Sequence, residues 1–351
     1  MMTSSVGSGV LTIKAAISDG HVRAAEIVST RPYSMARLFI GRRADEAPVL
    51  AGRLFSLCGY SHSTASSLAI AAARGKPIKD KSFAVGVLAE RLGDMFRSLV
   101  MGWPDVGLGG FVLARDAGLI RDALSACREL VGGTASQNGA IGRVISGAES
   151  LGLGKNDNVL QQALSALPDE SGFLSIPPDV LTEDDDESVC DGLSFHGEAF
   201  SQTPHLVGRC PETGAYAQHF PQLDHSGSAL VDRMCARFMF LEAGLRHLSD
   251  PESSTLWSSG ILRPGQGFGA VESPRGRLYH WAKVDSDGIV VDYGIVSPTE
   301  WNFHPAGPFV ATLLGSKVGA ADKAQSMIAW LAALFDPCVA FRVVLAEGGH
   351  A

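Results

Sequence analysis

Apolar and polar residues alternate from the start of LTIKAAISDGHVRAAEIV. Leu11, Ile13, Ala15 and Ile17 share one face of an extended segment that turns at Asp19-Gly20. Asp-Gly tolerates the positive φ angles of a two-residue turn, so the pattern predicts a β-hairpin over about 10–28. After Pro32 the apolar spacing becomes helical. SMARLFIGRRADEAPVLAGRLFSLCGYSHSTASSLAIAAARG predicts two or three helices, broken near Pro48 and near Cys58-Gly59, the last over Ser63–Ala73. Within Lys81–Met101, residues Phe83, Leu88, Leu92, Met95, Phe96 and Leu99 recur at helical spacing, and Pro104 ends the element. Glycine-interrupted helix continues from about Arg121 to Leu164.

The pattern breaks at SIPPDVLTEDDDESVCDG. Proline and acid predict a solvated loop over about 176–192, with Glu183–Glu187 as an exposed face. Ser226–Leu248 is helical again, with Val231, Met234, Cys235, Phe238, Leu241 and Leu245 on one face, which makes Cys235 a small core residue. YHWAKVDSDGIVVDYGIV predicts a second hairpin, about 279–296, turning at Asp287-Gly288 and leading into SPTEWNFHPAGPF, a Pro-rich loop. A last helix over roughly Ala321–Phe335 delivers the chain to Asp336-Pro337-Cys338. The sum is a mainly α chain with small β elements (α+β), one domain over 1–351, with room for the two hairpins to lie near each other.

Composition supports a packed core. Of 351 residues, 46% are apolar and 19% charged. A net charge of −8 without basic clusters argues against nucleic acid or an anionic membrane as partner. The longest uncharged apolar run, Met327–Phe335, is too short to span a bilayer, and MMTSSVGSG does not read as a secretion signal. A soluble cytoplasmic protein is expected. The six cysteines, Cys58, Cys127, Cys190, Cys210, Cys235 and Cys338, form no C-x-x-C pair, so reduced thiols are expected and structural zinc is not. General catalytic motifs (G-x-S-x-G, H-E-x-x-H, P-loop) are absent. His62 follows Cys58 in CGYSH, but no third group completes a nucleophile.

Three stretches occur in an informative order: EAPVLAGRLFSLCG (Glu46–Gly59), ESPRGRLYHW (Glu272–Trp281) followed by SPTEWN (Ser297–Asn302), and DPC (Asp336–Cys338). Together they resemble the large, catalytic subunit of nickel–iron hydrogenases. That family carries R-x-C-G-x-C early, then E-A-P-R-G-x-L-x-H-W, a D-G-K hairpin, V-P-T-T-W-N and a closing D-P-C-x-x-C-x-x-H. The opening hairpin matches as well, so the resemblance spans most of the chain and implies a large-subunit-like helical fold.

The departures from that pattern carry the functional reading. The family holds nickel with four thiolates from two C-x-x-C pairs, the second of each pair bridging to iron. Here the pairs become Cys58 with Ser61 and Cys338 with Phe341. A serine hydroxyl is too hard for this soft site, and Phe341 has no lone pair. The family's proton-relay glutamate aligns near Ser8, and its cleavage histidine near Val344. About three extra residues separate Arg53 from Cys58. The family's iron carries two cyanides and one carbon monoxide. The resemblance assigns the cyanide-facing positions to Arg275, Pro298 and Thr299, and the apolar wall around carbon monoxide to Pro274 and Leu278.

This incomplete large subunit is similar to the HupK-type hydrogenase assembly proteins, also called HoxV. The resemblance implies a non-catalytic maturation scaffold, with Cys58 and Cys338 as metal ligands. Its transient cargo is iron with cyanide and carbon monoxide, without nickel. The implied partners are the apo large subunit, small maturation chaperones and iron-ligand assembly proteins. Two other readings fit the same residues: a metal-free chaperone or decoy that shields the large subunit's partners, and a Cys58/Cys338 dithiol redox protein.

Overall fold

The computed structural model describes residues 9–78, 82–101, 117–134, 136–150, 159–168, 172–253 and 255–346. Ser8 and Pro104 lie outside the described residues. The first hairpin forms as its alternation predicts: β1 (Val10–Ser18) and β2 (His21–Ser29) pair antiparallel, with Asp19 and Gly20 at φ of 53° and 72°. Short 3-10 turns at Tyr33–Phe39 and Ala44–Glu46 lead into α1 (Ala47–Leu54) and α2 (Gly59–Ala73). Pro48 sits in the first turn of α1, where its missing N–H costs no helical bond. Then follow α3 (Ala84–Met101), α4 (Ala117–Gly132), α5 (Gln137–Ser150) and α6 (Val159–Ser165).

The acidic stretch is a solvated loop only in its first part. Thr182 and Asp185 form a capping box around the turn Glu183–Asp185, and α7 runs over Asp186–Gln202. Acid at a helix start satisfies free N–H groups and the positive end of the dipole, so the residues that suggested a loop begin a helix. Asp186 is 3% exposed and accepts hydrogen bonds from Arg277 and Tyr279. After α8 (Ala215–His219) comes α9 (Ala229–Ser249), whose buried positions include Arg233 and Arg237. Cys235 is half-buried beside Tyr216, Leu223 and Ala236, not inside the main core.

The second hairpin belongs to a larger sheet. β3 (Trp257–Arg263), β4 (Gln266–Ser273), β5 (Gly276–Val284) and β6 (Val290–Val296) form an antiparallel meander in chain order. SPTEWNFHPAGPF is not a loop. It folds as α10 (Pro298–Asn302) and α11 (Pro308–Leu313), each with proline in its first turn. α12 (Ala321–Phe335) has the predicted bounds, and a final strand, β7 (Ala340–Ala346), pairs parallel to β1. The two hairpins therefore lie in separate sheets, one ordered β2-β1-β7 and the other β3-β4-β5-β6.

The four-stranded sheet is sandwiched between helices. On β5, Arg277, Tyr279 and Trp281 face α7, whereas His280 and Ala282 face the α2 side. Both faces are covered, so the strand is buried almost throughout. β4 meets α2 at backbone distance: a methyl group on Gly267 would overlap Ala69 O and Ala73 N, and one on Gly269 would overlap Ala65 O and Leu68 Cβ.

Gly269→Ala tests this close approach. Overpacking of a full core costs about 1–3 kcal/mol, and here the collision is with backbone. Urea unfolding of the variant should show a lower midpoint with an unchanged slope. An unchanged midpoint would mean that α2 and β4 do not touch at this glycine.

Candidate functional site

Asp336 closes α12 in the left-handed conformation, at φ 54° and ψ 61°, which Asp tolerates better than most residues. The turn sends its carboxylate toward two arginines: Arg237 Nη1 at 3.1 Å and Arg275 Nε at 3.8 Å. Burial pushes the Asp336 carboxyl up, but the two guanidiniums outweigh it and hold the pKa below its ordinary value. Two residues on, the Cys338 N–H donates to Thr299 Oγ1 at 3.1 Å, and that hydroxyl donates to Cys338 Sγ at 3.2 Å. Arg31, just past the end of β2, donates from Nη1 to the same sulfur at 3.1 Å. The same nitrogen lies 2.9 Å from Glu300 Oε1.

Cys58 is the N-cap of α2, which starts at Gly59, four residues before the helix start read from the sequence. A helix N-terminus normally favours a thiolate. Here Glu90 on α3 accepts the free N–H groups of Tyr60 (2.7 Å) and Ser61 (2.8 Å), and the Ser61 hydroxyl at 2.5 Å. Burial, with Glu90 and Cys338 adding negative charge, pushes the Cys58 thiol well above its ordinary range. Arg275 opposes that shift, and both sulfurs contribute to holding Arg275 protonated. The guanidinium thus lies within electrostatic reach of both cysteines.

Arg275 stands in the tight turn between β4 and β5, beside Gly276 at φ 126°. Its Nη1 lies 3.0 Å from Asp94 Oδ2, yet Nη1 and Nε make no hydrogen bond of good geometry. Both nitrogens are thus held by carboxylate charge more than by directed hydrogen bonds. A cavity of about 20 Å³ adjoins it, lined among others by Pro274, Arg275, Arg237, Asp336 and Asn302.

Four expected residues, Cys58, Cys338, Arg275 and Thr299, therefore belong to one cluster, with Pro274 in the turn beside Arg275 and Pro298 starting the helix that carries Thr299. The Thr299 hydroxyl donates to Cys338 and accepts from its N–H. Leu278, 1% exposed, is packed into the main apolar core. Arg31, Glu90, Asp94 and Arg237 were not singled out from the sequence, and Glu300 and Asp336 lie in the quoted stretches but were given no role there. The available signal was charge on otherwise apolar faces, as at Glu90/Asp94 on α3 and Arg233/Arg237 on α9.

His62 is engaged elsewhere. Its Nδ1 is 2.8 Å from His280 Nε2, and His280 Nδ1 is 2.7 Å from the Tyr293 hydroxyl, which donates to Ser66 Oγ at 2.7 Å. The chain ties α2 to β5 and β6. Among the described residues no three His, Cys, Asp or Glu side chains converge as a metal-binding set.

The nickel-dependent hydrogenase family model matches residues 226–343. The hydrogenase expression/formation protein HupK of Rhizobium leguminosarum bv. viciae is 38% identical, with 100% of both chains aligned. The hydrogenase expression/formation protein HoxV of Cupriavidus necator is 28% identical over 92% of this chain and 93% of that one. Among solved structures, a reduced, active form of the Ni-Fe-Se hydrogenase from Desulfomicrobium baculatum superposes with a TM-score of 0.67 at 17% identity, covering 92% of this chain and 95% of that one. The mainly helical, large-subunit-like fold expected from the sequence is the fold found.

The buried histidines give a pH prediction. Burial lowers the His280 pKa to about 3, and lowers that of His62 well below its ordinary value. The unfolded chain takes up these protons near pH 6.5 and the folded chain does not. Their contribution is therefore neutral above about pH 6.5, and stability falls as pH drops from there toward about pH 3. At about 1.4 kcal/mol per unit, the loss at pH 5 is roughly 2 kcal/mol for His280. Urea unfolding at about pH 7.5 and about pH 5 should show His280→Gln losing less stability than the wild type. Equal losses would sink the assignment.

Proposed function

Because the chain belongs to the HupK/HoxV family of hydrogenase expression/formation proteins, we propose that it serves hydrogenase maturation as a non-catalytic scaffold. On this reading it holds the iron with its cyanide and carbon monoxide ligands and passes it to the apo large subunit. The observation that carries the reading is that Arg275, fixed by Asp94 and Asp336, lies within electrostatic reach of both Cys58 and Cys338.

The cargo supplies its own strong-field diatomic ligands. The chain supplies the rest. Cys58 and Cys338 ligate through sulfur, and Arg275 offers N–H groups to a negatively polarised cyanide nitrogen in a site largely screened from water. Asp94 and Asp336 hold that guanidinium in place, while Thr299 and Arg31 hold Cys338. Ser61 is bound to Glu90 and Phe341 has no donor atom, so a four-sulfur nickel site is not completed. Two protein ligands also make release easier than four. Partners on this reading are the apo large subunit, small maturation chaperones and iron-ligand assembly proteins, met in the cytoplasm. No described helix is long and apolar enough to cross a membrane.

Protein purified without oxygen from cells expressing the maturation pathway should contain iron and show cyanide and carbonyl stretching bands in the infrared. Cys338→Ala should lose both, with circular dichroism and melting temperature retained. A variant that keeps its iron overturns the ligand assignment. Wild-type protein with bound partners but no bands would favour the metal-free chaperone. A thiol count that falls by two on mild oxidation would favour the dithiol reading.

A further inference from the structure

Cys338 is held by Thr299, which the hydrogenase-like pattern shares, and by Arg31, which it does not. Arg31 lies in none of the matching stretches, and Glu300 stands where the V-P-T-T-W-N pattern has its second threonine. We infer that Arg31 and Glu300 form a positioning pair that sets how strongly Cys338 donates to iron. This rests on the scaffold reading and assigns the control of one of its two sulfurs.

The geometry is specific. Arg31 Nη1 donates to Cys338 Sγ at 3.1 Å and faces Glu300 Oε1 at 2.9 Å, so one nitrogen serves both acceptors. Both side chains are largely buried, at 12% and 4% exposure. Glu300 Oε2 makes no hydrogen bond, which leaves the carboxylate committed to Arg31 through its other oxygen. Arg31 and Glu300 also form part of the wall of a cavity of about 160 Å³, with Ser29, Tyr33, Thr299 and Phe303. The guanidinium therefore has room to reorient toward either acceptor.

A hydrogen bond onto a metal-bound thiolate withdraws electron density from sulfur. Less donation from sulfur leaves the iron poorer in electrons, weakens its back-donation into carbon monoxide and raises the carbonyl stretching frequency. Glu300 draws Arg31 away from the sulfur and moderates the effect. The two residues therefore act in opposite directions on one spectroscopic quantity, which a purely structural ion pair would not do.

The test is infrared spectroscopy of protein purified without oxygen from pathway-expressing cells. Glu300→Gln leaves Arg31 free to bond Cys338 fully, and the carbonyl band moves to higher wavenumber. The double variant Arg31→Met with Glu300→Gln removes the donor without stranding a buried carboxylate, and the band moves to lower wavenumber. Arg31→Lys, with Glu300 retained, keeps a cation and returns the band toward its wild-type position. Opposite shifts support the inference. Wild-type bands that stay put in both variants, or that move the same way, overturn it while the scaffold reading stands. A wild-type protein without bands removes both.

Discussion

The parallel pairing of β1 with β7 is the constraint on which the site depends. Val10–Ala16 pair in register with Ala340–Ala346. Parallel neighbours cannot be joined by a tight turn, and here the crossover is almost the whole chain. β1 is the central strand of its sheet, so β7 is locked beside the strand whose hairpin partner runs on toward Arg31. Arg31 and Cys338 are 307 positions apart in sequence and 3.1 Å apart in space. Loop-closure entropy grows only slowly with length, and burial of Leu11, Ile13 and Val343 across this sheet helps to offset it. The chain's two ends thus become one wall of the site.

The charges around the cysteines give that wall its character. Arg31, Arg237, Arg275, Asp94, Glu300 and Asp336 are drawn from six separate places and paired out of water. Such networks add little net stability over apolar packing, though stranding one member costs about 3–5 kcal/mol. Their presence is better explained by what they do to neighbouring groups. The two sulfurs end up in unlike surroundings. Cys58 sits at a helix N-terminus whose donors are already consumed by Glu90, whereas Cys338 lies under donors from Arg31 and Thr299.

Elements with one solvated face were legible in the sequence. The first hairpin shows its alternation and its Asp-Gly turn, and α12 shows an apolar stripe that ends at Asp-Pro. β3 and β4 were not legible, because β4 lies between α2 and the α7 face and alternates little in polarity. β7 was hidden for another reason: its partner is at the other end of the chain, and a lone short strand carries little local signal. The acidic run misled because capping and solvation favour the same residue types. At the site, Cys58, Cys338, Arg275 and Thr299 stood out only through the resemblance to the hydrogenase large subunit, whose motifs they match. Arg31 and Asp94 did not, since their roles exist only through contacts distant in sequence.

The two positions where the hydrogenase-like pattern has its missing sulfurs are both occupied by residues the fold uses. Ser61 donates to Glu90 and presents its N–H to the same carboxylate, which fixes the start of α2 and with it the placement of Cys58. Phe341 pairs with Leu11 and, with Val343 and Leu345, contacts the main core through the inward face of β7, just after Cys338. A cysteine at 341 would surrender aromatic volume where β7 meets the core, and at 61 it would exchange a strong hydroxyl donor for a weak one. Each replacement thus does in packing or hydrogen bonding what a metal bond would otherwise do for the same segment. On the scaffold reading, the retained pair is then anchored by the protein itself, and departure of the cargo leaves the fold intact.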